Sequence, residues 1–251
     1  MNIYCDILKM GKRLAQSKTT PRLTVIDTLQ VVLQELSRGC KTAPLLNASA
    51  LLDDVAEVCR YTYNYESGLD YGNIAPVFPS VWIELADAQT AVNLAAFVVY
   101  TENNGQADLA GQAQKHNIKA DFRWRCRTRC FIKKANGKTL PLKWEWIEYV
   151  ESEGRSVRGL MQPVGLPGAL EEAINSELEQ MQFVQSDLCA LVANLGLYTI
   201  DMINNRIATL QSPPGLRHKP PAGRKREVEH YIVDLNFNNN PVIAPVSTLR
   251  G

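Results

Sequence analysis

The sequence predicts an α+β fold: a mostly antiparallel sheet of about five strands with a central β-hairpin, packed by N-terminal helices and a long C-terminal helical region. Three observations predict it. Residues 121–134, DFRWRCRTRCFIKK, alternate with strand periodicity, and Asn136-Gly137 is a tight-turn signal that sends Leu140 to Val150 back as a partner strand. Between Gly168 and Leu210, apolar residues recur at three- and four-residue steps. The strand-like segments do not alternate regularly with helices, as a parallel βαβ sheet requires.

Composition agrees with a packed core. The chain has 251 residues, 45% of them hydrophobic, and 27 basic against 26 acidic side chains leave a formal charge of +1. That balance excludes a disordered chain and argues against a dedicated duplex binder with a large basic excess. The charges at Asp6 and Lys9 interrupt any secretory signal, and the apolar run Ala91 to Tyr100 is far shorter than the roughly 20 residues that span a bilayer. Six widely spread cysteines point to reduced thiols and a cytoplasmic setting.

The elements follow in order. Thr20-Pro21 precedes an amphipathic stretch, Leu23 to Leu36, whose stop is Arg38-Gly39. A second helix is expected from about Asn47 through Leu51, Leu52, Val55 and Val58, before a tyrosine-rich segment. Pro79 opens a strand through Trp82 and Glu84, and Leu94 to Tyr100 gives another. After the hairpin come the helical segment, with Gly196 as a candidate break, and a stop at Ser212-Pro213-Pro214-Gly215. The expected organisation is one α+β domain over residues 1–211. Residues 212–251 form a basic Pro-rich linker and a final strand, Val228 to Leu235, packing on that domain.

The chemistry concentrates in the hairpin. Arg123, Arg125, Arg127 and Arg129 share one parity, so their side chains line one sheet face about 6.7 Å apart. A two-residue turn at Asn136-Gly137 would set Arg129 opposite Trp144, Arg127 opposite Trp146 and Arg125 opposite Glu148. Guanidinium groups and indoles on one face suit phosphate contact and base stacking, the chemistry of a single-stranded nucleic-acid platform. Residues 121–143 hold eight bases and one acid, whereas 144–182 hold eight acids and two arginines. Internal neutralisation is therefore the competing structural account. Lys225 and Arg226, in the acid-free linker, are candidate anchors for the same partner.

Catalytic signals are absent: no phosphate-binding glycine loop, dinucleotide fingerprint or Gly-x-Ser-x-Gly elbow occurs. No cofactor is implied. Cys126 and Cys130 lie about 13 Å apart along a strand, too far to share a metal ion. Glu84, Glu148 and His230 are the candidates for a metal-dependent nuclease or phosphodiesterase, the first alternative. A protein–protein inhibitor or structural component, docking an acidic host protein on the Arg/Trp face, is the second.

Three places carry a resemblance. They are Phe78-Pro79-Ser80-Val81-Trp82-Ile83-Glu84, Met202-Ile203-Asn204-Asn205-Arg206-Ile207, and Gly223-Arg224-Lys225-Arg226 with His230-Tyr231-Ile232-Val233 and the closing Arg250-Gly251. Together they resemble a loosely defined group of uncharacterised proteins encoded by bacteriophages and related mobile elements. This chain has Ile203 where the group has leucine. The resemblance implies a phage or prophage origin and a role in the cytoplasm of an infected bacterium; it assigns no chemistry. The expected function is therefore a non-enzymatic binding protein, phage-encoded as the resemblance implies, that engages nucleic acid or a host nucleoprotein through the basic, aromatic sheet face.

Overall fold

β-branched and aromatic side chains favour a pleated, half-buried backbone, and this chain assembles them into an eight-stranded mixed sheet. The computed structural model describes residues 3–4, 6–7, 44–49, 72–86, 92–105, 107–119, 121–134, 137, 139–164, 184–211 and 231–235, with 171–172, 175–176 and 178–179. The strands are β1 (Leu45–Asn47), β2 (Ser80–Ala86), β3 (Val92–Glu102), β4 (Trp124–Lys134), β5 (Thr139–Val150), β6 (Ser156–Pro163), β7 (Ala208–Gln211) and β8 (Tyr231–Leu235). Helix α1 (Ala107–Lys115) follows β3, and α2 (Gln185–Asn204) follows β6. The spatial order is β6-β5-β4-β3-β2-β1-β8-β7. β2 to β6 run as an antiparallel meander. β1 is parallel to both β2 and β8, and β7 closes antiparallel on β8.

The pleat separates two cores. Ile83, Leu94, Ala96, Val98, Cys126, Cys130 and Ile132 face α2 and pack with its Leu188, Val192 and Leu195. On the opposite face, an N-terminal helical turn carrying Ile3, Tyr4 and Ile7 covers Trp82, Ala95, Phe97 and Phe131. Farther along that face, Ala113 of α1 and Ile118 cover Ile147 and Tyr149. Both helices stop in the same way. Asn117 (φ 56°) and Arg206 (φ 61°) take the left-handed conformation just past the helix end. Ile118 N–H then donates to Ala113 O at 2.9 Å, and Ile207 N–H to Met202 O at 2.8 Å.

Several expectations change. Among the described residues the sheet has eight strands and not five; β1, β6 and β7 are short or half-exposed and lack the alternation that marks β4. Leu45–Asn47 is a strand, so any helix there begins later; residues 23–36 and 51–58 lie outside the described residues. Of the helical segment expected over 168–210, Gln185–Asn204 is α2 and 208–211 is β7, while most of 168–183 lies outside the described residues. α2 also runs unbroken through Gly196. A Cβ at Gly196 would stand 2.7 Å from the Cβ of Ala96, so glycine here permits close helix–sheet approach. α2 is long and apolar enough to cross a membrane, but 72% of its most apolar window is buried inside the protein, as for a core helix.

Gly196→Ala is expected to cost about 1–3 kcal/mol in urea unfolding, because both clashing carbons are fixed to backbone. Adding Ala96→Gly should recover part of that loss. A Gly196→Ala protein as stable as the parent would show that α2 does not need this approach.

Candidate nucleic-acid interface

The hairpin sets the site. Lys133 pairs with Thr139, whereas a two-residue turn would have paired it with Leu140. The loop is one residue out of the expected register, and a one-residue slip moves every partner to the other face. Beyond a bulge between Arg129 and Phe131, Arg129 lies opposite Glu145, Arg127 opposite Ile147 and Arg125 opposite Tyr149. Trp146 lies opposite Thr128 and Glu148 opposite Cys126.

The expected Arg/Trp face is thus corrected. Arg125, Arg127 and Arg129 do share a face, half-buried. Trp144, Trp146 and Glu148 occupy the α2 face, where Trp146 is buried and Trp144 packs against the core. Arg123 precedes β4 and is exposed; it pairs with Glu102 at 3.3 Å, and its guanidinium lies over the ring of Trp124, 4.6 Å from the centroid. Lys225, Arg226 and His230 lie outside the described residues.

Three rows cross the arginine face. Arg129 is flanked by Phe97 and Glu145, Arg127 by Val99 and Ile147, and Arg125 by Thr101 and Tyr149. Arg129 Nε lies 3.0 Å from Glu145 Oε2, both side chains largely buried, so the charge segregation in sequence is partly neutralised here. Lys143 pairs with Glu171 and Lys133 with Asp6, adding to that neutralisation. At the far end, His116 Nδ1 is 2.8 Å from the Tyr149 hydroxyl. Burial, then Arg125, Arg158 and Lys115, hold the imidazole below its ordinary pKa, so it stays neutral at pH 7 and adds no charge.

Sequence reasoning missed the aromatic members of this face. Phe131 shares the parity of the arginines, and Phe97 lies directly opposite Arg129, with Trp82 opposite Phe97. The parity of Phe131 was legible in DFRWRCRTRCF; the two cross-strand partners depended on pairings that no local pattern specifies.

The acidic candidates do not converge. Glu84 shares the face of Trp82, and its Oε1 accepts from Trp82 Nε1 and Tyr4 N–H, each at 3.0 Å. Glu148 is on the other side of the sheet. Among the described residues, no three His, Cys, Asp or Glu side chains gather into a metal site. No protein-family model, curated protein or solved structure matches the chain.

Glu148 has a structural role of its own. Its Oε1 accepts from Trp146 Nε1 at 2.7 Å and its Oε2 from the Ser156 hydroxyl. Gly159 lies directly across: a Cβ there would come within 2.6 Å of both Glu148 Oε1 and the Trp146 ring. Burial raises the carboxyl to about 7, outweighing the two donors that favour the anion. Beside it, Tyr100 donates to Ile74 O at 2.9 Å, and Cys126 is held well above the ordinary thiol range, first by burial and then by Glu148.

A raised carboxyl pKa has a definite sign. Between the ordinary value of 4.5 and about 7, the folded protein keeps a proton that the unfolded chain releases, so stability falls as pH rises through that window. The full loss is about 3 kcal/mol. Glu148→Gln should be more stable than the parent at pH 8 and no more stable at pH 4. Parallel stability–pH curves for the two proteins would contradict this.

Proposed function

We propose that this chain is a non-enzymatic binding protein whose arginine face engages single-stranded nucleic acid. One observation carries the proposal: Arg125 and Arg127 stand half-buried in file on one strand, next to the more deeply buried Arg129 that Glu145 pairs, in the strip between the N-terminal turn and α1. Guanidinium groups held by flanking strands are pre-organised for phosphate oxygens and give sequence-tolerant, salt-sensitive binding. The near-zero net charge fits a local contact surface in place of a protein-wide basic field. Indoles 144 and 146 have no part in this contact, since both lie on the α2 face, Trp146 buried in the core and Trp144 packed against it. The resemblance to phage-encoded proteins favours a setting in the cytoplasm of an infected bacterium, where the strand could be free or held in a host nucleoprotein. The basic linker with Lys225 and Arg226 would add phosphate contacts in the same complex.

Fluorescence-anisotropy titration of a labelled single-stranded oligonucleotide tests this across a salt series. Affinity should fall with salt, and Arg125→Ala with Arg127→Ala should lower the log–log slope by about 1.4, the contribution of two phosphate contacts. Trp146→Phe should leave the slope where it was. Equal slopes for the parent and the double arginine variant would end the proposal. Capture of an acidic protein with no oligonucleotide binding would do the same and point to the inhibitor alternative.

A further inference from the structure

We propose that Lys115, His116, Tyr149 and Arg158 form a phosphate site at the Arg125 end of the arginine strip, and that it takes the terminal phosphate monoester of a bound single strand. This rests on the nucleic-acid reading above and deepens it by assigning a place to the end of the strand. The site continues one row of the sheet. Thr101, Arg125, Tyr149 and Arg158 lie side by side across β3, β4, β5 and β6, so Arg125 and Arg158 flank Tyr149 on one face. The end of α1 meets that row. His116 Nδ1 is 2.8 Å from the Tyr149 hydroxyl, and the two rings lie edge to face with centroids 5.9 Å apart. Arg158 Nη1 donates to the His116 carbonyl at 3.0 Å, which uses one guanidinium donor and fixes the group beside His116. Ala113 and Ile118 pack on Ile147 and Tyr149 and hold this end of α1 against β5, so the polar groups are in place before a ligand arrives.

The charges acting on the imidazole are all of one sign. Lys115 from α1, Arg125 from β4 and Arg158 from β6 each disfavour its protonation, and Tyr149 from β5 supplies a hydroxyl. At the other end of the strip the cations are compensated: Arg129 has Glu145, Lys133 has Asp6 and Lys143 has Glu171. Lys115 and Arg158 are exposed, and among the described residues no carboxylate pairs with either. A phosphate monoester carries a charge of about −1.5 to −2 at pH 7, more than an internal phosphodiester, so close-set cations without acids favour the strand end. A bound anion also reverses the field on His116. The imidazolium becomes the favoured form, and phosphate binding is coupled to proton uptake.

Two measurements on the full-length chain test the site. The first compares oligonucleotides of one sequence that end in a 5′-phosphate, in a 3′-phosphate or in hydroxyls alone. One phosphorylated form should bind roughly tenfold tighter than the hydroxyl form, the effect of an added charge-assisted hydrogen bond, and the form that gains identifies which end the site takes. Arg158→Gln and, separately, the exposed Lys115→Gln should each shrink that difference. The second follows the His116 ring by NMR through a pH titration. Inorganic phosphate should move its pKa upward by about 0.5 or more, beyond the effect of sodium chloride at equal ionic strength. Equal affinity for the three oligonucleotides, or a His116 response no larger than in chloride, would overturn the site while leaving the arginine strip standing. Absence of binding by every oligonucleotide at low salt would overturn both.

Discussion

The pleat of β4 is the constraint on which the rest depends. From Trp124 to Lys133, even positions pack in or against the core beneath α2 and odd positions form the face that carries the arginines. Each cysteine and threonine that enters the core fixes a guanidinium group on the other side, two residues apart and unable to turn inward. β3 and β5 flank β4 over almost its whole length, so the file of arginines is held by ladders on both sides. The same pleat puts Phe131 in line with the arginines and so joins the charged strip to the second core.

The two sheet faces use their buried polar groups differently. On the α2 face, Glu148 sits in a largely apolar core, and burial outweighs the Trp146 and Ser156 donors, so its proton is retained well above the usual range. On the arginine face, Glu145 lies beside Arg129, where an opposite charge compensates for desolvation. Glu84 keeps two donors, an indole and a backbone amide, and thereby ties the N-terminal turn to β2. Three glutamates that look interchangeable in the sequence therefore have three separate functions in the fold, and none joins another.

The end of α2 explains one of the motifs quoted for the phage resemblance in structural terms. Asn204 donates to Asn73 O at 2.8 Å and to Ala75 O at 2.9 Å, and Asp201 accepts from the Asn73 amide. Gly154, at φ 91°, lies so close to Asn73 that a Cβ would meet its Oδ1 at 2.1 Å. The helix end, the segment before β2 and the β5–β6 turn are thus locked together by one asparagine. Met202-Ile203-Asn204-Asn205-Arg206-Ile207 is accounted for by helix termination and this clamp, with no ligand required.

How much of this the sequence determined depends on how far apart in the chain the deciding atoms lie. The alternation of 121–134 was enough to define β4 and to assign Arg125, Arg127 and Arg129 to one face, because strand periodicity is a local property. The apolar spacing likewise marked α2. What a single strand cannot reveal is its partner's register. Trp144 and Trp146 were expected beside the arginines on the strength of Asn136-Gly137, but Lys133 pairs with Thr139, and that one-residue difference moves both indoles to the α2 face. The cross-strand aromatic neighbours that the arginines do have are Phe97 of β3 beside Arg129 and Tyr149 of β5 beside Arg125, each more than twenty residues away in sequence. Only the folded sheet brings them together, because cross-strand pairing is decided by burial over the whole face and not by the pattern of either strand.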